Sequence, residues 1–320
     1  CEKRFDEPMR RYTSFRIGGN ADLLIFPDGA EDLKKILYLC KSNGVSLFVI
    51  GFGTNLLVKD GGIRGVVVSL RKGFKKISNF QFPISKDGKE MVVVGAGAGL
   101  QRLVSFALKN ELSGMEFSAG IPGSVGGALV MNAGTGDGEM KDVIKSVSIM
   151  IAEGGVETLE KEDIKFSYRN SEFPPGSIIL QTELLLKRGK GGDIRKTVEF
   201  LVKARKSKQP LYSHSAGSVF KNPPTPPFDL PFIPSFRRRG RGGRKGGYGG
   251  ISAGRLIESA GLKGFNIGDA VVSEKHANFI INRGNAAAKD VLRLIEVVKE
   301  RVFEKTGISL EEEIKIVGED

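Results

Sequence analysis

Ser118-Ala119-Gly120-Ile121-Pro122-Gly123-Ser124-Val125-Gly126-Gly127-Ala128 decides the reading of this 320-residue chain. Pro122 stiffens a run in which Gly123, Gly126 and Gly127 leave no side chain between backbone and ligand, so successive N–H groups can approach a phosphate closely. Asn132-Ala133-Gly134 extends the same wall. Upstream, Ile50-Gly51-Phe52-Gly53-Thr54-Asn55-Leu56-Leu57 ends a strand-like run, and Gly51, Gly53, Thr54, Asn55 and Leu56 repeat the pattern. A glycine phrase after a strand is, on its own, more often just a turn.

Working outward, the apolar periodicity gives a mixed pattern. Leu33, Ile36, Leu37 and Cys40 predict a helix over 30–43, stopped at Gly44. Further helices are predicted over 100–110, 193–206 and 287–305, the last with the stripe Val291, Leu294, Ile295, Val298 and Val302 and a stop at Gly307. Runs 46–50, 65–70, 91–94 and 313–317 are rich in β-branched residues and read as strands. This is an α+β order, not strict strand–helix alternation. Gly95-Ala96-Gly97-Ala98-Gly99 comes near a dinucleotide fingerprint but lacks its final spacing and the acidic residue that should follow, which disfavours a Rossmann site.

Composition narrows the class. The chain is 40% hydrophobic, enough for two or three units, and no apolar run reaches the length of a bilayer span. Two cysteines and two histidines, His214 and His276, are too few for a disulfide framework or a metal centre, so no metal site is expected and the expected compartment is the cytoplasm. Net charge is +12, suited to anionic ligands and equally to nucleic acid. Part of it sits in Arg237, Arg238, Arg239, Arg241, Arg244 and Lys245, within a Pro-rich and then Arg/Gly-rich segment that reads as a disordered insertion at 224–250. Such tracts can bind RNA.

Three further phrases carry chemistry: Tyr168-Arg169-Asn170-Ser171, Gly217-Ser218-Val219-Phe220-Lys221-Asn222-Pro223 and Glu311-Glu312-Glu313-Ile314-Lys315-Ile316. Read alone, Arg169 is an exposed ion-pairing residue, Ser218 a turn residue and Glu313 a solvated strand start. No Gly-x-Ser-x-Gly elbow surrounds Ser218.

Together with the two glycine segments and Thr13-Ser14-Phe15 through Gly18-Gly19, these phrases resemble the UDP-N-acetylenolpyruvoylglucosamine reductase family over almost the whole chain. The spacing from Arg169 to Ser218 is similar to that of its shorter subclass, which lacks a tyrosine-bearing loop over the substrate. The resemblance implies an FAD-binding fold of the vanillyl-alcohol-oxidase type over residues 1–189, in two subdomains split near residue 70. A C-terminal α+β substrate domain over 190–320 follows, the boundary falling at Gly189-Lys190-Gly191-Gly192. It implies bound FAD, NADPH as co-substrate, UDP-N-acetylglucosamine enolpyruvate as substrate and a monomeric enzyme of peptidoglycan synthesis.

By the same resemblance Arg169, Ser218 and Glu313 are catalytic, and Gly51 and Gly53 to Leu56, with Gly120 to Ser124 and Gly126 to Ala128, hold the cofactor. Lys208, Lys221, Asn222 and His276 contact substrate. Arg169 would meet charge developing on the enolpyruvyl carboxylate, aided by Glu313 if that carboxyl is protonated, and Ser218 would deliver the proton. Lys221 would favour the alkoxide left behind. Two rival readings remain: an oxygen-using FAD oxidase on the same fold, and an RNA-binding protein built on the Arg/Gly tract.

Overall fold

The computed structural model describes residues 1–80, 88–224 and 252–320. The body of the expected insertion and its Arg/Gly tract lie outside the described residues. The chain forms two compact units: Cys1–Glu7 with Ala21–Phe52 and Arg64–Arg205, and Pro8–Asn20 with Gly53–Ile63 and Lys206–Asp320.

The first unit is built on two large sheets. One has the strand order Glu2–Pro8, Asn20–Phe26, Ile63–Ser69, Leu47–Ile50, the last two parallel with Ile50 opposite Ser69. The other is antiparallel and is built on the long strand Ile178–Arg188, with Ile144–Met150 on one side and Lys89–Gly95 on the other. Alternate residues Val92, Val94, Leu184 and Leu186 are fully buried, and the helices α1 (Ala30–Ser42) and α2 (Leu100–Lys109) add Leu33, Leu100 and Leu103 to the same core. Each such side chain contributes about 1.5–3 kcal/mol on burial. A short helix, α3 (Val125–Val130), carries the end of the glycine run, and α4 spans Gly191–Lys208.

The start of α4 departs from the expected linker. Gly191 and Gly192 form its first turn, where the Lys190 carbonyl accepts the N–H groups of Asp193 and Ile194, and Ile194 is buried. Two glycines cost roughly 2 kcal/mol of helix propensity, which the buried Ile194 and the apolar face of Val198, Leu201 and Val202 offset. The first unit accordingly extends to Arg205.

In the second unit α5 (Ala253–Ser259) and α6 (Ala288–Thr306) pack with a three-stranded antiparallel sheet, Asn266–Ile267, Ala270–Val272 and Ile280–Asn282. The predicted stripe of α6 is buried throughout, and Gly307 ends the helix at φ +69°, a left-handed cap that glycine adopts without strain. Leu56–Val58 pairs in parallel with Lys315–Val317. Among the described residues no helix is long and apolar enough to cross a membrane.

Candidate functional site

In the first unit the two glycine segments meet at Ser124. Its hydroxyl caps α3 by accepting the Gly127 N–H at 3.2 Å, and a Cβ on Gly51 would lie 2.4 Å from that oxygen. Gly126 is also pressed: a Cβ there would stand 2.9 Å from the Ala96 Cβ and 3.2 Å from the Ala96 oxygen. Val125 and Gly126 donate to the carbonyls of Ala98 and Ala96, and Leu100 donates to Gly123. The Gly95–Gly99 segment is thus the packing partner of the run. Its alternating glycine and alanine was the signal for close backbone approach. Gly120 and Gly123, at φ +78° and +140°, bend the chain on either side of Ile121-Pro122, and Ala128 is buried in α3.

The strand ends beside Gly51 add polar groups. Ser69 is fully buried, and its hydroxyl has no hydrogen-bond partner among the described residues. Arg71 donates to the Gly51 carbonyl at 3.0 Å, its guanidinium 5.4 Å from the centroid of the Phe52 ring.

Arg169 occupies the two-residue turn of a hairpin, Lys165–Ser167 with Asn170–Glu172, at φ +58°. The hairpin is bolted to the glycine wall. Ser171 donates to the Leu129 carbonyl of α3 at 2.7 Å, and the fully buried Asn132 donates to the Ser167 carbonyl at 3.2 Å. The guanidinium itself donates to the Gly134 carbonyl at 3.0 Å. A second guanidinium, Arg205 from α4, lies over Gly120, where a Cβ would stand 3.0 Å from the Arg205 Cδ. Burial, and then the like charge of Arg169, lower the Arg205 pKa. Two cations that repel in a partly desolvated place are suited to share an anion. Nothing in the local sequence around Arg205 marked it, because its partner lies 36 positions away.

The second unit assembles the serine and glutamate phrases. Val219 accepts the Glu313 N–H at 2.7 Å, Lys221 donates its N–H to the Glu311 carbonyl, and Phe220 bridges Glu312, so 219–221 runs antiparallel to 311–313. Ser218 and Glu313 are thereby brought together, with Gly217 at φ +81° turning the chain just before the serine. Asn55 sits at the same place: its side chain donates to the Glu313 carbonyl at 3.0 Å and its own carbonyl accepts from Lys315. Leu56 follows in register with Lys315. Gly53 is locked from the other side, since its carbonyl accepts the Ser14 N–H and a Cβ would meet the Tyr12 oxygen at 2.1 Å. The Thr54 oxygen lies 3.8 Å from where a Gly217 Cβ would be. The phrase read in sequence as one loop is therefore divided, with Gly51 beside Ser124 and Gly53 to Leu56 beside Glu313.

Two further lysines are engaged in ion pairs. Lys221 pairs with Glu311, and Lys299 with Glu312 at 2.7 Å. Burial disfavours charge on Glu312, but Lys299 and a backbone hydrogen bond together outweigh it and hold the carboxyl below its ordinary range. Asn222 accepts the Ala253 N–H at 3.1 Å, at the start of α5. His276 is held below its ordinary pKa by burial, with Lys263 adding to it; its Nδ1 accepts the Asn278 N–H at 3.3 Å. Lys208 is exposed at the end of α4. Among the described residues no cluster could hold a metal ion.

Comparison with known proteins gives the context. The chain is 42% identical over 318 residues to the UDP-N-acetylenolpyruvoylglucosamine reductase of Clostridioides difficile, covering 99% of this chain and 94% of that one. It is 44% identical over 315 residues to the enzyme of that name from Caldanaerobacter subterraneus, covering 98% and 93%. The chain belongs to the UDP-N-acetylenolpyruvoylglucosamine reductase family. Residues 21–160 match an FAD binding domain model and residues 209–317 match that of the reductase C-terminal domain. The crystal structure of UDP-N-acetylenolpyruvylglucosamine reductase from Thermus caldophilus superposes with a TM-score of 0.76 at 35% identity, over 98% of both chains.

The residues of the first unit fit the flavin nucleotide that this family's FAD model implies. The Gly51 and Gly126 cradle leaves no room for a Cβ, the orphaned Ser69 hydroxyl lies one residue from Gly51 in register, and Arg71 supplies a cation beside them.

Proposed function

We propose that this chain reduces the enolpyruvyl ether of UDP-N-acetylglucosamine enolpyruvate to the lactyl ether of UDP-N-acetylmuramate, with NADPH as reductant, as a cytoplasmic monomer. The observation that carries the reading is the Val219–Glu313 hydrogen bond, which draws the serine and glutamate phrases of a reductase-family chain into one place. The glycine cradle at Gly51 and Gly120 to Ala128, with Ser69 and Arg71, would hold FAD. When bound, FAD supplies the hydride that passes from NADPH to the terminal enolpyruvyl carbon.

The chain's own groups handle charge and proton, Glu313 acting as the protonated carboxyl, since only that form can donate a hydrogen bond to an enolate. Hydride addition pushes an electron pair toward the substrate carboxylate, and Arg169 meets that charge in a partly desolvated setting, where a fixed cation counts for more than it does in water. Arg205 adds a second positive charge in the same unit. Ser218 gives its proton to the adjacent carbon, and solvent restores it; Glu313 hydrogen-bonds the developing enolate. Lys208, Asn222, Lys221 and His276 are assigned to the sugar nucleotide, Lys221 having first to exchange its Glu311 partner for a phosphate.

The test is an anaerobic two-stage assay. The protein should purify yellow, bleach at 450 nm with NADPH and regain its colour on addition of the enolpyruvyl sugar nucleotide. A flavin that regains colour only with oxygen supports an oxidase instead, and a colourless protein that binds no FAD refutes the reading.

A further inference from the structure

Asn278 is 4% exposed and does the work of a missing strand. Its main-chain carbonyl accepts the Val219 N–H at 2.8 Å. Its side-chain oxygen accepts the Phe220 N–H at 3.0 Å, and its side-chain nitrogen donates to the Phe220 carbonyl at 2.8 Å. A primary amide presents an acceptor oxygen and an N–H donor side by side in one plane, as a peptide unit offers its own, so an asparagine can complete a ladder for one residue where no strand runs. The opposite edge of the same segment is held by Glu313 and Glu311 through Val219 and Lys221.

The consequence falls on Ser218. On its N-terminal side Gly217 turns the chain at φ +81°, so among the described residues the ladder that fixes the serine begins with Val219 and Phe220. We infer that Asn278 is a positioning residue for proton delivery: by clamping Val219 and Phe220 from the edge opposite Glu313, it sets where the Ser218 hydroxyl stands. The inference rests on the proposed function, in which Ser218 is the donor. An apolar residue at 278 would fill the same buried space while stripping Phe220, itself 1% exposed, of both partners.

The decisive variant is Asn278→Asp, which keeps the shape and the acceptor and removes the donor to the Phe220 carbonyl. The measurements are flavin content from the 450 nm band, the melting midpoint, bleaching by NADPH, and recolouring by the enolpyruvyl sugar nucleotide in H2O and in D2O. Flavin content and bleaching should stay within about twofold. Recolouring should slow roughly a hundredfold, as misplacement by about 1 Å does, and its solvent isotope effect should rise as proton delivery becomes limiting. Equal slowing of both stages, no slowing, or slowing with an unchanged isotope effect overturns the inference.

Should the aspartate variant not fold, Asn278→Ser, which retains the main-chain bond to Val219, repeats the test. If neither folds, Asn278 serves the fold alone and the inference is overturned. Ser218→Ala run in parallel separates the two layers. If it recolours at the full rate, the proton-donor reading itself fails; if it is slow while Asn278→Asp is fast, only the positioning role fails.

Discussion

Arg169 is a residue with a Cβ held in the left-handed region at φ +58°, and two substitutions there separate what the backbone costs from what the charge does. Arg169→Ala and Arg169→Gly both lose the hydrogen bond to Gly134, worth about 1 kcal/mol, and the guanidinium contact 5.1 Å from the Tyr168 ring, worth about 0.5–1 kcal/mol. That loss is common to the pair and cancels between them. The left-handed conformation costs a residue with a Cβ about 1–2 kcal/mol, and glycine escapes it while giving back about 0.5–1 kcal/mol in chain entropy. The glycine variant should therefore be more stable than the alanine variant by about 0.5–1 kcal/mol, the reverse of the usual order within regular structure. Urea melts followed by circular dichroism read this directly. In the two-stage assay both variants should bleach normally with NADPH, and recolouring by the sugar nucleotide should fall by about 10²–10³, or about 2.7–4 kcal/mol in barrier. An alanine variant as stable as the glycine one refutes the strain, and equal loss in both stages refutes the charge role.

Two other expectations follow from the packing and the ion pairs. Gly126→Ala forces a Cβ to within 2.9 Å of the Ala96 Cβ, so it should cost about 1–3 kcal/mol and lower the flavin content of the purified protein; an unchanged melt and unchanged colour would count against the cradle. The Lys299–Glu312 pair should stabilise the fold between two edges. Glu312 is lowered from 4.5, so its share is present above that value and is lost as pH falls through the folded pKa; Lys299 is raised from 10.5, so its share is lost as pH rises through a value above that. Glu312→Gln should flatten both edges of a plot of melting midpoint against pH, and an unaltered profile would show the pair to be worth nothing.

Much of this was legible in the sequence because it is local. The stripe of α6, the stop at Gly307 and the strands ending at Ile50 and Ser69 follow from periodicity and glycine placement. The serine and glutamate phrases were legible as types, but their meeting was not, since the Val219–Glu313 and Asn55–Glu313 bonds span long stretches of chain that no local preference encodes. For the same reason Gly51 and Gly53, two residues apart, could not be seen to belong to different units. The glycines at 191 and 192 read as a linker because propensity was weighed without the burial of Ile194. Arg205 was hidden inside a basic helical stretch, where one cation looks like the next.

The parallel pairing of Leu56–Val58 with Lys315–Val317 also governs when this protein can become itself. About 260 residues separate the partners, so a ribosome adding about 5–20 residues per second exposes the first strand for roughly 13–50 s before the second exists. During that interval Leu57, fully buried in the finished protein, has no strand to lie against, and Asn55 has no Glu313 to hold. The nascent chain therefore carries an unpaired, apolar strand at Leu56–Val58 until Lys315–Val317 has been made and can close it. A chain interrupted before Lys315 would carry the residues of every other described helix and strand and leave this one seam open.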